Sequence, residues 1–179
     1  MNYLNILIKG INENGEEKEY KLKDFIGNNL IIYFYPSDDT PVCTQEAQSF
    51  RDSIQELNKY AKIIGVSNND IQDHIDFHNK HNLNFIMLSD IKEELKNDFK
   101  KYLKTFSTIH RATFILNGNG EIIKAWEKVD VNDQIDEIIS FFKTKNQIFW
   151  FVLILSKLQN YNFIKDLKDI KIKPCKMQG

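Results

Sequence analysis

A continuous apolar run, Leu30 to Tyr35, constrains this chain more than any other segment. It is bounded by Gly27-Asn28-Asn29 and by Pro36 and lacks alternating polar residues, the pattern of a strand covered on both faces. Such a strand belongs in the centre of a sheet with helices on either side. After it comes a short polar loop, Ser37-Asp38-Asp39-Thr40-Pro41-Val42, ending on Cys43. From Thr44 onward Ala47, Phe50, Ile54, Leu57 and Ala61 recur at three and four residues, which predicts one helix with a buried stripe. Cys43 therefore sits at a strand-to-helix crossover. There, orphan backbone N–H groups and the positive helix end face the sulfur and favour the thiolate. Thr40, one turn earlier, can place a hydroxyl beside it. Pro36 and Pro41 fix the loop, because proline presets φ and suits a first helical turn. The segment reads as a preorganised nucleophile site.

The remaining segments continue the alternation. Lys62 to Ser67 and Phe85 to Leu88 have strand character, with a helical stretch from Asp70 to His81 between them. Ile91, Leu95, Phe99 and Leu103 are spaced by four and predict a helix over 91–103. Ala112 to Leu116 and Glu121 to Trp126 flank Asn117-Gly118-Asn119-Gly120, a hairpin signal, and Asn5 to Tyr20 reads as another hairpin around Asn12-Glu13-Asn14-Gly15. Val131, Ile135, Ile138, Ile139 and Phe142 describe a closing helix. The expected fold class is α/β, a mixed central sheet flanked by helices with an N-terminal hairpin. In open α/β sheets reactive groups gather at the carboxyl ends of strands, which is where Cys43 falls.

A length of 179 residues with 42% hydrophobic side chains suits one domain plus a short appendage. Balanced charge, 24 basic against 25 acidic residues, provides no field to recruit nucleic acid. The apolar stretch Ile6 to Ile8 is not a signal-peptide pattern, and the expected location is cytoplasmic. Cys43 and Cys175, the only cysteines, make neither a disulfide framework nor a zinc knuckle, so a catalytic or redox thiol is the better expectation. His74, His78 and His81 share one helical face, but with Asp73, Asp76, Asn79 and Lys80 around them they read as a solvated face and not as a metal site. Trp126 reads as a half-buried cross-strand partner.

These residues resemble the peroxiredoxins, most closely the monomeric bacterioferritin-comigratory or Q-type branch. The signature Pro-x-x-x-Thr-x-x-Cys is matched by Pro36, Thr40 and Cys43. Thr44-Gln45-Glu46-Ala47, Ile64-Gly65-Val66-Ser67, Leu88-Ser89-Asp90 and Arg111-Ala112-Thr113-Phe114 follow in the expected places, so the likeness covers residues 16 to 142. It implies a thioredoxin-like fold and a monomeric thiol peroxidase that reduces hydrogen peroxide or organic hydroperoxides. Recycling would be by thioredoxin or a similar dithiol, with no cofactor or metal. Cys43 would be the nucleophile and Arg111 the guanidinium aimed at it. Thr40 would bond peroxide or thiolate, and Pro36 would shield the sulfur. The N–H groups of Val42 and Cys43 would complete a cradle, and Glu46 would orient polar groups nearby. A peroxide reaction needs such a setting, since both oxygens must be held while one leaves with developing negative charge.

The chain also departs from that branch. Many members carry a second cysteine five residues after the first, and here that position is Gln48. A sulfenic acid at Cys43 must then meet an external thiol or Cys175 as resolving residue. The likeness ends near Thr144, which gives expected domains of 1–144 and 145–179. In the tail, the eight apolar residues Ile148 to Leu155 fall short of the roughly 20 that span a bilayer. With the following lysine-rich stretch they read as an added helix, a membrane-surface or partner-binding helix, or a disordered extension. The rival function is a redox-responsive binding or holdase protein on the same fold. A thioltransferase reading is disfavoured, because Thr40-x-x-Cys43 stands where Cys-x-x-Cys would be needed.

Overall fold

The computed structural model describes residues 2–104 and 110–169, with side chains beyond 148 described only at 150, 151 and 153. It divides between Glu137 and Ile138 into two compact units. Within the first, seven strands form one mixed sheet: β1 Ile8–Ile11, β2 Glu17–Tyr20, β3 Leu30–Phe34, β4 Lys62–Ser67, β5 Ile86–Ser89, β6 Ala112–Leu116 and β7 Ile122–Trp126. Their order is β2-β1-β5-β4-β3-β6-β7, with β3, β4 and β5 parallel and the hairpin strands antiparallel at both edges. This is the mixed sheet flanked by helices that the sequence predicts, with the Leu30 run as an interior strand between β4 and β6.

Helices α1 Pro41–Asp52, α2 Ile54–Leu57, α3 Ile71–His81 and α4 Glu94–Lys100 connect the strands, and α5 spans Gln134–Asp169. Two helices are shorter than periodicity predicts. The stripe from Ala47 to Ala61 is interrupted at Ser53, whose φ of −96° and ψ of 3° lie outside helical values. Helix α4 starts three residues later than Ile91, because the Asp90 carboxylate accepts the N–H groups of Leu95 and Lys96 (3.2 and 2.8 Å) and Glu93 turns left-handed at φ 53°. Conversely, α5 runs straight through the expected boundary at residue 144. Lys143 to Gln147 contain neither Gly nor Pro to stop it. Cys175 and the remainder of the lysine-rich end lie outside the described residues, and no helix among those described is long and apolar enough to cross a membrane.

Alternation along β3 loads both faces of the sheet. Ile32 and Phe34 join Ile64, Val66, Leu88, Phe114 and, from α4, Leu95 and Phe99. Phe99 and Phe114 meet edge to face at 4.9 Å. On the other face Tyr33 stacks on Phe50 of α1 at 4.4 Å and meets Phe85 edge-on at 6.0 Å. Gly65 of β4 pairs in register with Tyr33, and a Cβ there would come within 2.9 Å of the tyrosine ring and hydroxyl. Only glycine leaves that space. Gly65→Ala is expected to destabilise the fold by about 1–3 kcal/mol, read as a lower denaturant midpoint with an unchanged slope.

The hairpin turns use local chemistry. Asn12 Oδ1 accepts the N–H groups of Asn14 and Glu16, and Asn117 Oδ1 does the same for Asn119 and Glu121. Trp126 lies opposite Thr113, with the Lys124 ammonium 4.9 Å over its ring, which agrees with a cross-strand role.

Candidate active site

Topology explains how residues 68 apart in sequence come together. Strand β6 runs antiparallel to β3 with Ala112 opposite Phe34, so the start of β6 lies beside the end of β3. Arg111 precedes β6, and Cys43 occupies the first turn of α1, just past the end of β3. The result is a direct contact: Arg111 Nη2 donates to Cys43 Sγ at 3.2 Å. Cys43 is only 2% exposed and is the sole cysteine among the described residues. Glu46, one turn further along α1 on the same side as Cys43, is fully buried and takes the other arm of the guanidinium, Nη1, on Oε2. The fork therefore holds a carboxylate with one nitrogen and the thiol sulfur with the other, which fixes its plane.

Helix geometry supplies the rest of the electropositive setting. Thr40 is the N-cap and Pro41 the first helical residue, and the first N–H to bond back is that of Thr44, to Thr40 O at 2.8 Å. The N–H groups of Val42 and Cys43 consequently have no intrahelical carbonyl and lie at the positive end of α1. The Thr40 hydroxyl does not cap the helix. It donates to Ser37 O at 3.3 Å, within the loop, and Thr40 is exposed. Pro36 is exposed and borders a cavity of about 150 Å³ lined also by Phe34, Tyr35, Ser67, Asp90, Lys96 and His110. Beside Arg111 a surface groove of about 520 Å³ is lined by Val42, Gln45, Lys128, Val129 and Asn132. A cleft of about 480 Å³ edged by Asn28, Asn29, Asn58 and Asn84 lies at the opposite, amino ends of the parallel strands.

Two buried polar atoms near this chemistry have no hydrogen-bond partner among the described residues, the Tyr33 hydroxyl and Glu46 Oε1. Burial holds the Tyr33 hydroxyl well above the usual tyrosine range, with the Asp38 and Cys43 charges adding to it and Arg111 opposing. Tyr35 is raised in the same way, again by burial first and by Asp38 second.

The histidine face differs from its sequence reading. His74 is fully buried and His78 nearly so, and His81 is largely covered. His74 Nδ1 meets Asp38 Oδ2 at 2.7 Å, and His78 Nε2 donates to Glu13 O at 3.2 Å. His81 Nε2 donates to Asp39 Oδ1 at 2.9 Å while its Nδ1 accepts from Gln48 at 3.4 Å. The face is taken up by contacts to other segments and not by solvent. Phe77, buried one turn after His74, is the signal for this, since it marks the face as inward. Asp39, left-handed at φ 58°, also takes the Lys80 ammonium at 2.5 Å. Those two bonds, from Lys80 first and then His81, hold its carboxyl below the ordinary range. A lowered carboxyl stabilises the fold above the ordinary aspartate range of about pH 4 and stops doing so as pH falls through its own lower value. Acid titration of thermal unfolding should show this loss in the wild type and not in Asp39→Asn.

A buried thiol under a guanidinium, at the helix start after the central strand of a thioredoxin-like sheet, defines a cysteine-based redox site. Residues 7–125 match the AhpC/TSA family. The chain belongs to that family, and within it to the peroxiredoxins of the bacterioferritin-comigratory or Q type. It is 39% identical over 134 residues to peroxiredoxin Bcp of Bacillus subtilis, covering 71% of this chain and 85% of that protein. Among solved structures, a cysteine-to-serine mutant of Xanthomonas campestris peroxiredoxin Q superposes with a TM-score of 0.71 at 30% identity, over 80% of this chain and 93% of the other. The Xanthomonas campestris bacterioferritin comigratory protein, solved as a trapped intermediate and ligand complex and described for alkyl peroxide reduction, gives a TM-score of 0.69 at 29% identity, over 80% and 94%.

Proposed function

We propose that this peroxiredoxin reduces hydrogen peroxide and organic hydroperoxides through Cys43, and that the 3.2 Å contact from Arg111 to the sulfur carries the reading. The Cys43 thiolate attacks one peroxide oxygen, the O–O bond breaks, and the sulfur leaves the step as sulfenic acid. The other oxygen departs as hydroxide or alkoxide and takes a proton from solvent. Negative charge thus moves from sulfur to the leaving oxygen. Arg111 and the N–H groups of Val42 and Cys43 are placed to stabilise it along that path. Glu46 keeps the guanidinium in plane. The Thr40 hydroxyl retains acceptor capacity while donating to Ser37 O, and we assign it to holding the peroxide, with Pro36 limiting access of water.

The second half of the cycle consumes two thiols: one condenses with the sulfenic acid and releases water, and the second reduces the mixed disulfide. Gln48, at the position of the second cysteine in many relatives, is engaged with His81, and we assign the reductant role to an external dithiol such as thioredoxin. A holdase would have no use for a guanidinium held on a buried sulfur. The experiment is consumption of hydrogen peroxide and of cumene hydroperoxide with dithiothreitol as reductant. The reading expects catalysis of both, retained in Cys175→Ser. It fails if neither peroxide is consumed faster than by dithiothreitol alone.

A further inference from the structure

The loop that carries Pro36 and Thr40 is held from beneath by an ionisable pair that the peroxide chemistry does not use. Asp38 is 9% exposed and His74 of α3 is 0% exposed. Asp38 Oδ2 lies 2.7 Å from His74 Nδ1, and Asp38 Oδ1 accepts the Tyr35 hydroxyl at 2.7 Å. On the far side of the imidazole, Nε2 donates to Leu88 O of β5 at 3.3 Å, because a carbonyl can only accept. Every polar atom of the Asp38 and His74 side chains is then paired. The loop backbone is fixed at the same residue: Asp38 N–H donates to Asn69 Oδ1 at 2.9 Å, and the Asn69 amide is itself held by Ser67 and by Asp73 of α3. One residue on, Asp39 takes Lys80 and His81, also of α3.

We infer that α3 is a clamp on the peroxide site, with Asp38 and His74 as positioning residues that hold the Ser37–Thr40 loop over Cys43. Asp38 and Asp39 immediately precede Thr40, the N-cap of α1, so their anchors set where the Thr40 hydroxyl points. Loops ordinarily move more than the elements they join. This one is tied to one helix from its buried side through His74 and from its exposed side through Lys80 and His81. In-line attack on peroxide tolerates little displacement of the groups that hold the two oxygens, so the clamp contributes to rate without touching substrate. Asp38 and Cys43 each lie near enough to the buried Tyr33 hydroxyl for their charges to act on it.

This inference rests on the peroxidase reading, and the test separates the two. Three variants are compared with wild type for the rate of Cys43 oxidation by hydrogen peroxide, for its alkylation by iodoacetamide, and for thermal unfolding. Alkylation needs the thiolate but not the peroxide cradle. Asp38→Leu with His74→Phe replaces the pair by apolar groups, a swap that buried pairs often tolerate. It should slow peroxide oxidation at least about tenfold while alkylation changes less than about threefold. Asp38→Asn can still bond both His74 and Tyr35, and should restore oxidation to within about threefold of wild type. Tyr35→Phe removes one bond at constant core volume and decides the matter if the double variant does not fold: it should slow oxidation while leaving alkylation unchanged. The clamp is overturned if the folded variants react with peroxide at the wild-type rate, or if oxidation and alkylation fall together. Absence of peroxide oxidation in the wild type would instead sink the peroxidase reading.

Discussion

Cys43→Ser is expected to abolish peroxide turnover, by at least about 10³-fold, because an alcohol at neutral pH supplies no anion to attack the O–O bond. The fold should survive. Serine nearly matches the volume of cysteine, and its hydroxyl can accept the 3.2 Å donor from Arg111, so the Arg111–Glu46 pair keeps its place. The comparison that gives the result meaning is Cys175→Ser, expected to leave the peroxide step untouched. Steady-state consumption of peroxide with a dithiol, alongside thermal unfolding of each variant, reads both. Retention of turnover in Cys43→Ser would contradict the assignment of the nucleophile.

Arg111→Lys is expected to lower the rate of Cys43 oxidation by about 10²–10³-fold with charge conserved. The guanidinium serves two partners at once, Glu46 through Nη1 and Cys43 through Nη2, and a single ammonium cannot hold both in that fixed plane. Because Glu46 is fully buried, the ammonium should settle on the carboxylate and leave the sulfur. Arg111→Met would be a poorer test. It strands a buried carboxylate, and breaking a buried pair in that way costs about 3–5 kcal/mol, so lost activity could reflect lost structure. The lysine variant separates placement of charge from its presence, and single-turnover oxidation with hydrogen peroxide measures it. A rate within a few-fold of wild type would mean that the fork geometry is not used.

Much of this arrangement is legible in the sequence, for reasons that can be traced residue by residue. The run Leu30 to Phe34 announces a central strand because no alternation is needed where both faces are buried. The two Asn/Gly turns announce hairpins because few other sequences make them. Glu46 is recognisable as a neighbour of Cys43, being three residues further along one helix. The pairing of Arg111 with Cys43 comes only through family likeness. Nothing local in residues 110–112 says that β6 inserts beside β3, and strand order is set by long-range packing that a single chain does not display.

Other features are hidden by competing local signals. The stripe from Ala47 to Ala61 keeps helical periodicity although the helix breaks at Ser53. Asp90 delays α4 by capping Leu95 and Lys96, a side-chain choice that periodicity cannot register. His74 reads as solvated because charged neighbours at Asp73 and Asp76 outweigh Phe77, yet its partner Asp38 is 36 residues away and invisible from α3 alone. For α4 the deciding interaction is between a side chain and a helix end, and for His74 it is between segments distant in sequence.

The most direct measurement of the central claim is the intact mass of the reduced protein after one equivalent of hydrogen peroxide, with the modified residue located by peptide mapping. The account predicts a gain of one oxygen on Cys43 within seconds, trapped as a sulfenic acid adduct, in wild type and Cys175→Ser alike, and no gain in Cys43→Ser. An unmodified Cys43 under those conditions, or an oxygen found elsewhere while peroxide is consumed, would contradict it.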